Sequence, residues 1–329
     1  MRRLLIIAGL LGFAISAYAQ GDAPGGRLGT RDAQEAIRRA SAEPTPRLPD
    51  GTPNLGRVGT EKGIWGLPGI LNFAQVAVGG PEKPDPRLAG PETGGAAKEP
   101  WIPFQPWAAA VYNYNTMNDS KYDPEGYCLP PGGPRLMGTP FPAEIFQFPD
   151  QKRIVIIFEG GAHIWREIYM DGRPHPPGDR LNGSSWLGHS VGRWEGDTLV
   201  VDSVGFNEGT WLDRAGHPHT DQLHVIERFT RPNKNTLHFE ATVDDPGAYT
   251  KSWTFSWDIP WRAGQELQEY ICQENNQYLQ RLTDDFGQVG GRQFQIGHAG
   301  EAEEVVGDVN QARALVLEAL DALQGAPFA

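Results

Sequence analysis

The chain has 329 residues and is acidic, with 41 Asp+Glu against 29 Lys+Arg and a net charge of −12. That balance repels phosphate backbones and anionic lipid surfaces, so nucleic acid is excluded as a partner. The length suits one large domain with its own core, and 10 Trp beside 41 Gly point to aromatic strands joined by tight turns rather than a helical bundle.

Arg2 and Arg3 precede an apolar run from Leu4 to Ile15, and Ala17-Tyr18-Ala19 fits a small-x-small cleavage site. The pattern predicts a signal peptide over 1–19 and a mature chain from Gln20, periplasmic or secreted. No later stretch is long and apolar enough to span a membrane. Residues 20–100 are rich in Gly and Pro and read as a largely irregular extension, with one short helix over Arg31–Ala42. A β domain is expected over 101–298, opening on an aromatic segment (Trp101, Phe104, Trp107, Tyr112, Tyr114). Val305, Val306, Val309, Ala312, Leu315, Leu320 and Leu323 recur at helical spacing and predict a C-terminal amphipathic helix within 299–329.

Between these ends the chain alternates short apolar runs with turn residues. Strands are expected at 143–148, 153–159, 163–170, 188–195, 198–204, 222–230, 236–244, 250–258 and 266–274. Short turns between consecutive strands predict an all-β antiparallel meander, closing into a barrel-like (lipocalin- or calycin-like) or two-sheet domain because closure removes exposed edges. The long connections 171–187 and 205–221 are rich in Gly, Pro and His, and are where a site is expected.

Cys128 and Cys272 are the two cysteines. In an oxidising compartment they form either a bridge or two buried thiols. The sequence lacks GxGxxG, a Walker lysine loop, G-x-S-x-G and HExxH, which removes the common dinucleotide, nucleotide, serine-hydrolase and zincin readings.

The segment Trp186-Leu-Gly-His189-Ser-Val-Gly-Arg193-Trp-Glu-Gly-Asp-Thr-Leu-Val-Val-Asp202 resembles a family of exported bacterial proteins, of uncharacterised activity, that carry a W-x-G-H-S-x-G-R-W-E-G-D-T-L-V-V-D run. The resemblance extends from Trp107 through Tyr127-Cys-Leu-Pro-Pro and Asp171-Gly-Arg173 to Glu269-Tyr-Ile-Cys272. It implies export and names no chemistry.

A two-residue turn at Gly196-Asp197 pairs Glu195 with Thr198 and fixes the register behind it. One face then holds Trp194, Leu199 and Val201 as core. The other holds His189, Val191, Arg193, Val200 and Asp202, with Asp202 diagonal to His189 and Arg193. A carboxylate beside an imidazole holds its tautomer, so His189 is the candidate base, Asp202 its orienter and Arg193 the anion stabiliser. The plainer alternative is an Arg193–Asp202 surface pair. Closing the preceding hairpin at Gly160-Gly161 places Glu159, Ile157, Ile164 and Arg166 on one face. Glu159, Arg166 and Trp186 are therefore the candidate substrate contacts.

A third cluster holds Asp213, His217, His219, Asp221, His224 and Glu227. Asp213, His217 and His219 are the candidate donors for a divalent metal; otherwise the segment reads as a solvated loop. No other cofactor is expected. These readings converge on a protein that binds a small hydrophobic or aromatic molecule in a barrel-like cavity, with acid–base chemistry of lyase, isomerase or hydratase type. The alternatives are a lipocalin-like carrier without catalysis and a structural envelope protein.

Overall fold

The computed structural model describes residues 43–79, 101–118, 120–161, 164–178, 185–274 and 276. The leader at 1–19, the helix expected at 31–42 and the helix expected within 299–329 lie outside the described residues. No helix among the described residues is long and apolar enough to cross a membrane.

Nine strands close into one barrel in sequence order. They are β1 (Gly63–Trp65), β2 (Ala143–Phe148), β3 (Arg153–Phe158), β4 (Trp165–Tyr169), β5 (His189–Glu195), β6 (Thr198–Val204), β7 (His224–Asn233), β8 (Thr236–Asp244) and β9 (Trp253–Ala263). Alternation turns Leu237, Phe239, Ala241 and Val243 of β8 inward, facing Trp253, Phe255, Trp257 and Ile259 of β9. The rings meet inside: Phe239 lies 5.1 Å from Phe229 and 5.0 Å from Trp257. Burying each such side chain stabilises the fold by about 1.5–3 kcal/mol.

Three expectations are corrected. The segment 266–274 is not a strand; the ring is closed instead by β1, which pairs with β9 from Gly63↔Ala263 to Trp65↔Trp261 and with β2 at Trp65↔Ala143. Three residues are too few to show an alternation. The tail after β9 docks through side chains, with Tyr270 on Phe141 and a disulfide between Cys272 and Cys128.

The meander is also not wholly antiparallel. β4 and β5 run parallel, through Ile168↔Ser190 and Tyr169↔Val191. A parallel pair needs a crossover, and the 170–188 connection is long enough to run back along the outer wall.

The β3–β4 hairpin is one residue out of the expected register. Arg166 lies opposite Ile156 rather than sharing a face with Ile157. Phe158 N donates to Ile164 O, so the loop between them has five residues and not two. The slip flips one strand. Ile157 and Glu159 face out, while Ile164 and Arg166 face in. Arg166 then meets Glu227 of β7, through Nη1 to Oε1 at 2.9 Å and through a second, shorter bond between Nη2 and Oε2. Ser190 and Ser203 complete the cluster at 2.9–3.2 Å.

Helix α1 (Pro106–Met117) starts on a proline, whose missing N–H costs nothing in the first turn. It buries Ala108, Tyr112, Asn115 and Thr116 against the 205–221 loop, with Asn115 donating to Gly216 O and Thr116 to Ala215 O. A short helix α2 (Arg135–Gly138) is buried, and its Arg135 is held bidentately by Asp123 at 2.6 and 2.8 Å.

Candidate active site

The β5–β6 hairpin has the expected register throughout, from Glu195↔Thr198 to Val191↔Asp202. Gly196 supplies the positive φ of +61° at the first turn position, which suits a turn that follows the strand twist. Trp194, Leu199 and Val201 face inward, and Leu199 and Val201 are fully buried. His189 and Asp202 therefore project from the outer wall, not into the barrel.

β7 extends this face. Asp202 lies opposite Val191 on one side and Ile226 on the other. His189 and His224 each stand two residues back along the neighbouring strand, so both are diagonal neighbours of one carboxylate. His224 Nε2 sits 2.8 Å from Asp202 Oδ1. The crossover lays a third imidazole between them. His175 Nε2 is 3.0 Å from Asp202 Oδ1, and His175 Nδ1 is 2.8 Å from His189 Nδ1. The cluster is half-buried, with 25%, 30% and 38% of the His175, Asp202 and His224 side chains exposed.

With His175 taken in its neutral form, these distances leave one set of tautomers. A carboxylate only accepts, so His175 and His224 each donate Nε2–H to Asp202. Neutral His175 then has a bare Nδ1, which must accept from His189 Nδ1–H. His189 keeps an unprotonated Nε2 at the outer end of the chain. Burial, then the proximity of His175 and Arg173, holds the His189 imidazole below its ordinary value.

Tyr169 stacks on His189 at 5.3 Å, and the Arg173 guanidinium covers Tyr169 at 3.8 Å. Asp171 holds Arg173 through Nε and Nη2 at 2.6–3.0 Å. Those hydrogen bonds bring the Asp171 carboxyl down to about 2. Val191 and Val204 lie half-buried on the same face beside His189.

The remaining sequence candidates go elsewhere. Arg193 is exposed and donates to Glu195 at 2.7 and 2.9 Å, and Glu195 also accepts from Arg228, so the expected Arg193–Asp202 pair does not form. Glu159 accepts from Gln268 N at 2.7 Å on the outer surface, apart from Arg166 in the interior. Trp186 is half-buried on the returning end of the crossover, its ring against Gly209.

The third cluster divides three ways. His224 belongs to the outer site, Glu227 to the interior, and Asp213, His217 and His219 to a buried loop at the barrel end. That loop is not solvated: Asp213 and His217 are 0% exposed and His219 is 4% exposed. Asp213 Oδ2 meets His217 Nδ1 at 2.8 Å and accepts from Phe73 N, while Oδ1 accepts from Gly216 N and His217 N. His219 uses Thr210 Oγ1 and Thr220 O. The Phe73–Asp213 bond ties 205–221 to the segment between β1 and α1. No group of three or more His, Cys, Asp or Glu among the described residues is arranged to hold a metal ion.

Sequence reasoning missed His175. The signal was present, since the Gly/Pro/His-rich 171–187 connection contains it, but only the parallel crossover brings it to Asp202. Comparison with protein-family models, with curated proteins and with solved structures finds no match to this chain.

Proposed function

We propose that this is an exported enzyme that performs cofactor-independent acid–base chemistry on a small hydrophobic or aromatic molecule, of lyase, isomerase or hydratase type. One observation supports it above the rest: the hydrogen-bonded series Asp202–His175–His189 ends at the His189 ring on a half-buried face. Export rests on the leader pattern at 1–19 and on the Cys128–Cys272 bridge, which persists in oxidising compartments.

In this reading His189 Nε2 takes a proton from the substrate. His189 Nδ1–H then moves toward His175 Nδ1, and the positive charge settles on His175 beside the Asp202 carboxylate. A charge so placed is stabilised by its partner, which raises the driving force for proton removal. His224 supplies a second donor to Asp202 and holds it in place. The substrate anion is met by Arg173, whose Nη1 is not engaged by Asp171, so Arg173 takes the role first assigned to Arg193. Val191 and Val204 provide the apolar floor. Returning the proton from His189 to another carbon or to a leaving oxygen completes an isomerisation or an elimination.

The test has two readouts. Long-range ¹H–¹⁵N spectra at pH 7 are expected to show His189 protonated at Nδ1 and bare at Nε2; the opposite tautomer would overturn the relay. Enolisable aromatic carbonyl compounds, with phenylpyruvate first, are then followed in D2O for exchange at the carbon next to the carbonyl. His189→Ala is expected to abolish catalysed exchange with the circular dichroism spectrum unchanged.

A further inference from the structure

The outer wall of the barrel is polar along β7, β8 and β9, where Arg228, His238, Glu240 and Asp258 face outward. Across β2, β3 and β4 it is not. Register sets Ile157 beside Trp165 and Val155 beside Phe146, with Phe148 next along β2 on the same face. Trp165, Ile157 and Phe148 are 57%, 38% and 36% exposed. The Phe146 and Phe148 rings lie stacked at 6.5 Å. Single exposed apolar side chains are ordinary, but a contiguous set across three strands marks a surface that something covers.

The chain carries a second apolar face. Beyond the described residues, Val305, Val309, Ala312, Val316, Leu320 and Leu323 recur at spacings of three and four, which lines them on one stripe of a helix. Glu303, Glu318 and Asp321 fall on the opposite side.

We propose that segment 305–323 docks as an amphipathic helix on the outer face of β2–β4, with its Val/Leu stripe on Trp165, Ile157 and Phe148. The route of the tail favours this occupant over a separate protein. The tail is already fastened at the rim of that wall. Gln268 N donates to Glu159 Oε2 at 2.7 Å, and Glu159 stands two residues beyond Ile157 on the same outward face. Tyr270 packs on Phe141 at 4.6 Å, just before β2, and Cys272 is bonded to Cys128. As a random chain, 277–304 spans about 30 Å. The segment is therefore held near the wall at an effective concentration on the order of millimolar.

The dimensions agree. Three strands measure about 10 Å across, the width of one helix. The diagonal from Trp165 to Phe148 crosses two strand spacings and four residues, about 16 Å, which is about three helical turns. Short helices are marginal alone in water, so packing on the wall supplies the stability of this one. The proposal uses no residue of the histidine cluster and does not depend on the acid–base reading.

Hydrogen exchange by mass spectrometry and hydroxyl-radical labelling, both on the full chain, read the two faces separately. Amides of 305–323 are expected to be protected and Trp165 to be labelled slowly. Val309→Asp with Leu320→Asp spoils the stripe, and Ile157→Ser with Trp165→Ser spoils the wall. Either pair is expected to quicken exchange in 305–323 by at least about tenfold, the weight of one buried apolar side chain. The stripe pair is also expected to speed labelling of Trp165, while Trp65, at 0% exposure, stays unlabelled and reports an intact barrel. Glu303→Gln, on the opposite side of the helix, is expected to change neither readout. Trp165 labelled equally fast with and without the stripe pair would overturn the proposal. So would protection of 305–323 that survives the wall pair. Protection of Trp165 that vanishes on dilution, as a dimer dissociates in light scattering, would give the wall to a second copy and overturn it as well.

Discussion

Arg166 of β4 and Glu227 of β7 meet inside the barrel from strands that are not neighbours, each side chain at most 3% exposed. A bidentate pair so deep is costly to break and cheap to replace. Removing one partner leaves an uncompensated buried charge, at about 3–5 kcal/mol. Arg166→Met alone, or Glu227→Leu alone, is expected to lower the unfolding free energy measured in urea by that amount. The double variant is expected to regain most of it. A double variant as unstable as the worse single would show that shape rather than charge governs the site.

His189 sets the acid limit of the outer site. Its folded-state value is depressed, so the unfolded chain binds a proton more readily. Its contribution to stability is full above about 6.5, the unfolded value, and is lost as pH falls through the lower folded value. Catalysed exchange is expected to hold through about pH 6.5 and to fall only as pH drops through the lower folded-state value. Burial is the largest cause of the depression and His175 the next, so His175→Ala is expected to raise the His189 midpoint in a ¹H NMR titration. A midpoint unchanged in the variant would mean that the two rings are not coupled.

Asp202→Asn tests the tautomers without changing shape. An amide offers one oxygen and one NH2, so it cannot accept from His175 and His224 in the same way. The His175 tautomer loses its anchor, and exchange is expected to fall on the order of 10²–10⁴-fold. His224→Gln, which retains a donor toward Asp202, is expected to cost far less. Equal losses in the two variants would place His224 in the chemistry itself.

Cys128 and Cys272 close a loop across a sequence separation of 144. In the chain-entropy model a loop of that length restricts the unfolded chain by about 4–5 kcal/mol. Urea unfolding with and without reductant measures it directly. The reduced protein is expected to unfold at a markedly lower midpoint with the barrel still formed in its absence. Identical midpoints would mean that the tail is held by packing such as Tyr270 on Phe141.

Legibility followed the turns. The β5–β6 register could be read because Gly196-Asp197 permits a single closure, and every pair behind it followed. Gly160-Gly161 looked equally decisive, but the chain closes over five residues there, and one residue of slip sent Arg166 inward to Glu227. The parallel β4–β5 pair left no local mark, since parallel and antiparallel partners share one side-chain alternation. His189 and Asp202 were found together because they share a hairpin. His175 was not, because it reaches them through a crossover that sequence spacing does not encode. As sequence, Asp213 and His217 read as metal donors or as a solvated loop because both are polar, yet mutual pairing lets them lie at 0% exposure.

The parallel pair has a mechanical consequence. β5 through β9 are joined by long ladders, whereas β4 meets β5 only at Ile168↔Ser190 and Tyr169↔Val191, and β1 meets β2 only at Trp65↔Ala143. The barrel is thus two stiff leaves sewn along two short seams, like a clamshell with its hinge and its clasp on opposite sides. Amide hydrogens should exchange first along those seams and last within β7 and β8, because local opening follows the thinnest pairing.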